Sequence, residues 1–139
     1  MNRRLLAVDL GDRRTGIAVG DEASGTAMPL TVLELPRGDE LLQALVRLVQ
    51  THAPDAIVMG LPMNMDDTEG PRAALTRSFA STLSDATACP VHMHDERLTS
   101  FEAEQRMRGT SRRQKKERSD AIAACVLLES FLADGSTDG

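Results

Sequence analysis

The stretch from Leu5 to Val19 places the tightest constraint on how this chain can fold. Leu5-Leu6-Ala7-Val8 is an uninterrupted apolar run that ends in Asp9-Leu10-Gly11-Asp12-Arg13-Arg14, and Thr15-Gly16-Ile17-Ala18-Val19 then restores the apolar character. This pattern predicts two antiparallel strands joined by a polar turn. Apolar neighbours on both sides place Asp9 in a central, covered strand, where an ionised side chain is costly unless something cationic meets it. The alternative is a turn-capping Asp that accepts backbone N–H groups two residues on.

Met28 to Leu35 reads as a third strand, and Pro29 makes it either an edge strand or one that starts late. A helix then opens after Pro36-Arg37-Gly38-Asp39, with Leu41, Leu42, Leu45, Val46, Leu48 and Val49 at helical spacing, and ends near Thr51 to Pro54. Ala56-Ile57-Val58-Met59, closed by Gly60-Leu61-Pro62, has the continuous apolar character of a strand buried on both faces. The acidic loop Met63 to Pro71 follows at that strand's C-terminal end, where ligands bind in open α/β sheets. It also serves as a helix entry, with Thr68 or Gly70 near the N-cap and Pro71 at the first helical position. Residues 72–84 are expected to form the next helix and Pro90-Val91-His92-Met93-His94 the last strand. A helix from Ser100 to about Met107, a basic linker over 108–114 and a long helix over 115–132 complete the order. Three antiparallel strands continuing into alternating helix and strand give an α/β fold of the ribonuclease H-like kind, a mixed five-stranded sheet flanked by helices. The 139 residues suit one domain, residues 1–133, with 134–139 as a flexible Gly-, Asp- and Ser-rich tail.

The formal net charge of −5 argues against an avid nucleic-acid binder, but its distribution argues the other way. Of the 16 Lys and Arg, eight fall between Arg97 and Arg118: Arg97, Arg106, Arg108, Arg112, Arg113, Lys115, Lys116 and Arg118. Only Glu102, Glu104 and Glu117 oppose them, and a polyanion responds to local potential more than to total charge. Arg3, Arg4, Arg13 and Arg14 form a second basic group. No apolar run reaches bilayer-spanning length and no signal-peptide pattern opens the chain, so the expected compartment is the cytoplasm. Cys89 and Cys125 lack metal or redox spacing and read as buried free thiols, with a disulfide as the lesser alternative. His92 and His94 share one strand face, but without a third ligand nearby they read as packed or solvent-side residues.

Asp9 on the first strand, Glu96 after the last strand and Asp120 on the final helix are the candidate catalytic and metal-binding acids. At a 3.6-residue period Asp120 shares a stripe with Ala123, Ala124, Leu127 and Phe131, and the alanines let the helix lie close to whatever it covers. Were the three acids to converge, mutual repulsion would protonate at least one of them unless divalent cations neutralised the set. Mg²⁺ or Mn²⁺ suits such hard oxygen donors, and two ions about 4 Å apart can serve both sides of a scissile phosphodiester. The structural alternative for Asp95-Glu96-Arg97 is an ion-paired helix N-cap.

These residues also carry a family resemblance. Val8-Asp9-Leu10-Gly11 with Arg14 to Val19, Gly60-Leu61-Pro62 with Asn64-Met65-Asp66 and Thr68-Glu69-Gly70, His94-Asp95-Glu96-Arg97-Leu98-Thr99, and Lys116 with Asp120 and Ala123-Ala124 together resemble the bacterial YqgF/RuvX family. The resemblance spans Leu5 to Leu132 and implies a ribonuclease H-like nuclease of pre-16S rRNA or of Holliday junctions. It implies Asp9, Glu96 and Asp120 as the metal ligands. Asp67 stands where that family usually has Gly, and Ser119 where an apolar residue is common.

The expected activity is therefore metal-dependent endonucleolytic hydrolysis of structured nucleic acid, pre-rRNA or branched DNA. Arg13, Arg14, Asn64, Arg97, Arg108, Arg112, Arg113, Lys115, Lys116 and Arg118 are the expected nucleic-acid contacts. Three Phe without Tyr or Trp leave little for base stacking, so shape and backbone charge should dominate recognition. Ribosome-associated partners and a monomeric or homodimeric state belong to the same expectation. Two other classes compete with it. Asp9-Leu10-Gly11 followed by Gly16 looks like the first phosphate loop of actin-like ATPases, although those clasp nucleotide between two domains. A non-catalytic ribosome-assembly or transcription factor would keep the acids for structure.

Overall fold

The computed structural model describes residues 2–97 and 112–135, with side chains of the final helix described from Ala121 to Ala133. Leu5 to Val19 form the expected hairpin, β1 (Arg4–Asp9) and β2 (Thr15–Asp21), and β3 (Ala27–Leu33) adds a third antiparallel strand. Helix α1 (Asp39–His52) leads to β4 (Ala56–Leu61), α2 (Pro71–Thr87) leads to β5 (Val91–Asp95), and α3 (Arg112–Gly135) closes the described chain. The sheet order is β3-β2-β1-β4-β5, with β4 parallel to both β1 and β5. This is the mixed five-stranded sheet that the order of strands and helices predicts. Pro29 lies in β3 at the sheet edge, where its missing N–H leaves no central ladder bond unmade.

Alternation along β1 and β4 divides the core in two. Leu6, Val8, Ile57 and Met59 face α1 and α2, packing with Leu41, Leu45 and Leu83, and all seven are fully buried. Leu5, Ala7, Ala56 and Val58 face α3, packing with Ala124, Leu127 and Leu128. Each large aliphatic side chain so buried contributes about 1.5–3 kcal/mol. The small residues of the second layer let α3 lie close across β1, β2 and β3. His92 and His94 belong to this layer and are packed rather than metal-directed. Phe131 stacks on His92 at 5.5 Å and meets His94 edge-on at 5.9 Å, and His94 Nε2 lies 2.8 Å from Ser130 Oγ.

Several boundaries differ from expectation. Helix α2 runs to Thr87 rather than Ser84, because Ala88 caps it in the left-handed conformation with φ 59° and donates its N–H to the Ser84 carbonyl. Helix α3 already includes Arg112, Arg113 and Gln114, so part of the stretch read as a basic linker is helical. It also continues through Asp134 and Gly135, past the point where composition suggests a tail. The helix expected from Ser100 to Met107 lies outside the described residues. Both cysteines are free thiols, Cys125 buried and Cys89 half-buried. Among the described residues no helix is long and apolar enough to cross a membrane.

Candidate carboxylate site

Asp9 ends β1, the middle strand, and its side chain falls on the face that α3 covers, in phase with Leu5 and Ala7. Its antiparallel partner on β2 is Gly16. On the other side Val8 pairs with Met59, and continuing that parallel register by one residue brings Asp9 alongside Gly60. A half-buried carboxylate therefore stands between two buried strand positions that have no side chains. Glycine within a strand packs nothing and often marks close approach by a ligand or another group.

Glu96 enters the same space from β5. Gly60 pairs with His94, and the Glu96 N–H donates to the Leu61 carbonyl at 3.2 Å, which holds the chain one residue beyond the strand end. A Cβ built on Gly60 would lie 3.3 Å from both Cβ and Oε2 of Glu96 and 3.6 Å from Cδ2 of Leu127. The Glu96 carboxylate thus occupies room that any larger residue at position 60 would contest. Burial pushes its pKa above the ordinary glutamate value; Arg72 pulls it back, and the neighbouring Asp95 charge adds to the upward push. An acid that is costly to ionise, lying over a strand position without a side chain, fits a site that gains from a hard cation.

The adjacent residues behave differently. Asp95 faces the opposite side, in phase with Val91 and Met93, and takes two-pronged hydrogen bonds from Arg97 Nε and Nη2 at 2.7 to 3.2 Å. Those bonds hold its pKa below the usual carboxylate value and raise that of Arg97. Arg97 also donates to Asp67 Oδ1 at 2.9 Å and to the Asn64 carbonyl at 2.8 Å, fastening the 62–70 loop to the end of β5. Asp67 sits at φ 70°, which accounts for a glycine being usual there; aspartate tolerates this conformation and here gains the Arg97 pair. The Asn64 amide donates to Thr68 Oγ1 at 3.0 Å within the same loop. The ion-paired reading therefore describes Asp95 and Arg97, whereas the Glu96 carboxylate lies over Gly60.

Among the other expected contacts, Arg13 is exposed in the β1–β2 turn, and Arg14 is half-buried with Nε 3.8 Å from Glu34. Arg108 lies outside the described residues. Arg112, Arg113, Lys115, Lys116, Arg118 and Asp120 lie on the backbone of α3, but their side chains are outside the description. Position 120 is seven residues, about 10 Å, before Leu127 along the helix. Among the described residues no three His, Cys, Asp or Glu form a metal-holding cluster. Sequence alone assigns no role to Gly16, Gly60 or Arg72, although both glycines lie within the motifs quoted above. Gly16 and Gly60 were legible as glycines inside otherwise apolar strand runs, and Arg72 as the cation directly after Pro71 at the helix entry.

A family model described as "RuvX: Holliday junction resolvase" matches residues 3–134. The chain belongs to the RuvX family. Relatives carrying the name "Putative pre-16S rRNA nuclease" include one from Anaeromyxobacter sp. (strain K), 45% identical over 131 residues that cover 93% of this chain and 96% of that protein. Another, from Chloroflexus aurantiacus, is 41% identical over 130 residues, 92% and 85% of the two chains. The RuvX fold is also that of solved resolvases. Thermus thermophilus RuvC in complex with Holliday junction substrate superimposes with a TM-score of 0.59 at 12% identity, covering 97% of each chain. Fowlpox virus resolvase with its Holliday junction gives 0.59 at 12% identity over 94% and 97%. The RuvX chain accordingly has the ribonuclease H-like architecture, and the names of its family and relatives are those of nucleases, hydrolases of phosphodiester bonds.

Proposed function

We propose that this RuvX-family chain is a divalent-metal-dependent endonuclease of structured nucleic acid, with the pre-16S rRNA named for its relatives as substrate and Asp9, Glu96 and Asp120 as metal ligands. The observation that carries the reading is the pairing of Asp9 with glycine on both sides while the Glu96 carboxylate lies over one of them. Two carboxylates beside a floor without side chains supply oxygen donors and room together. Mg²⁺ or Mn²⁺ held there would activate water against a phosphodiester and stabilise the leaving oxygen.

The chain's own residues do the rest. Asp9 ends a strand held by β2 on one side, where it pairs with Gly16, and by β4 on the other, where Val8 pairs with Met59, so its position does not depend on a loop. The Glu96 N–H to Leu61 bond and the Arg97 clamp fix the backbone around the second acid. Leu127 closes the lower side of the space and keeps it from opening into the core. The basic start of α3 would hold substrate phosphates. Replacing Arg112, Arg113 and Lys116 together by Gln should weaken RNA binding and make its logarithmic salt dependence shallower by about two units. An unchanged slope would remove that segment from the interface.

The four-way DNA junction is the second reading, favoured by the family description. The deciding assay offers a pre-16S rRNA fragment, unstructured RNA and a four-way junction in Mg²⁺ or Mn²⁺. Metal-dependent internal cleavage of the rRNA fragment is the expected result, cleavage of the junction alone would replace the substrate, and cleavage of none would overturn the nuclease reading.

A further inference from the structure

Arg72 stands beside the carboxylate site and no motif points to it. It lies in the first turn of α2, fixed by Pro71 at the helix start, at the C-terminal edge of the sheet where Asp9 and Glu96 lie. Its charge acts on Glu96 in the direction that favours the ionised carboxylate. Its Nη2 is 3.6 Å from Asp12 Oδ2 in the β1–β2 turn, so the guanidinium spans from α2 toward the loop that follows Asp9. Both side chains of that pair are about two-thirds exposed, 67% and 63%, and a long ion pair in water holds weakly.

Three other arginines of this edge are committed elsewhere. Arg37 Nη2 donates to Asp12 Oδ1 at 2.7 Å, Arg77 donates two 2.7 Å bonds to Glu69, and Arg97 donates to Asp95, Asp67 and the Asn64 carbonyl. Asp12 is thereby satisfied by Arg37 whether or not Arg72 stays. An exposed, loosely held guanidinium at the rim of an anionic site suits a ligand that brings its own negative charge, and a planar fork matches two phosphate oxygens.

We propose that Arg72 leaves Asp12 to grip a backbone phosphate of the substrate next to the scissile one, so that the strand is drawn across Asp9 and Glu96. This rests on the nuclease reading above, and it adds a contact that orients the strand rather than one that holds metal. The same guanidinium then offsets substrate charge approaching two acids, which would otherwise repel it.

The test compares the full chain with Arg72→Gln and Arg72→Lys in two assays: steady-state cleavage of whichever nucleic acid the wild type cuts, and binding of the same molecule in EDTA over a range of salt. Arg72→Gln should lower kcat/KM roughly tenfold and make the slope of log affinity against log salt shallower by roughly 0.7–0.9, the value of one phosphate contact. Arg72→Lys should restore the slope but only part of the cleavage rate, because a point charge replaces a fork. Cleavage within twofold of wild type and an unchanged slope in Arg72→Gln would overturn the proposal. So would a variant that shifts only the acid limb of the pH–rate profile with the slope intact, since that would confine Arg72 to setting the Glu96 charge. A wild type that binds but cuts nothing would overturn the nuclease reading, and the slope alone would then decide Arg72.

Discussion

Asp9→Asn is expected to abolish metal-dependent cleavage while leaving the chain folded. The substitution keeps the size and shape of the side chain, so the Leu5 to Val8 core around it is undisturbed. It removes the charge that would oppose a divalent cation at the middle of the sheet. Metal ions contribute several kcal/mol of transition-state stabilisation, and at about 1.4 kcal/mol per factor of ten the loss is on the order of 10³-fold or more. A second readout does not need substrate. Mn²⁺ should raise the melting temperature of the wild type, because a ligand that binds only the folded state stabilises it, and should raise that of Asp9→Asn far less. Full activity in Asp9→Asn would remove the carboxylate from the chemistry.

The next largest effect is expected at a residue that has no side chain at all. Gly60 lies in β4 without a positive φ, so the backbone accepts alanine, and alanine in a strand gains about 0.5–1 kcal/mol over glycine. Its Cβ would nevertheless press on Glu96 Cβ and Oε2 at 3.3 Å, so Glu96, which follows β5 rather than lying within it, must give by a few tenths of an ångström. The stability of Gly60→Ala should therefore stay close to wild type while the Glu96 carboxylate moves. Misplacing a reacting group by about 1 Å costs on the order of 10²-fold in rate. Valine, which also reaches Leu127, should approach that loss, and alanine should lose about tenfold for a smaller displacement. Melting curves and kcat for both variants provide the check. Wild-type cleavage by Gly60→Ala would mean that nothing of importance occupies the space above this residue.

Much of the architecture was legible because period and punctuation agree. The apolar runs at Leu5, Thr15 and Ala56, broken by Gly, Asp and Pro, mark strands that are buried, and Pro29 marks the edge. Asp9 stood out because a charge at the end of such a run conflicts with burial. The helix ends were less legible. The end of α1 falls where Thr51 to Pro54 predict it, but Ala88 closes α2 in the left-handed conformation that glycine usually supplies, so no sequence signal marks that end. The division of labour in Asp95-Glu96-Arg97 follows from strand alternation, which sends consecutive side chains to opposite faces; until β5 was placed, either acid could have been the paired one. Gly60 could be seen as a glycine, but its use depends on Glu96 folding back from a neighbouring strand, a contact between residues 36 positions apart that no local pattern encodes. Arg72 was missed for the same reason, since its relation to Asp12 crosses from the first turn of the chain to its second helix.

Anomalous scattering from Mn²⁺ in crystals of the wild-type chain tests the central claim most directly. Metal density is expected above Gly60, at the roughly 2.0–2.2 Å oxygen distance of a small hard cation from the carboxylates of Asp9 and Glu96, with Asp120 of α3 completing the set. Metal bound only elsewhere, or Asp120 turned to the far side of the helix from Asp9, would contradict it.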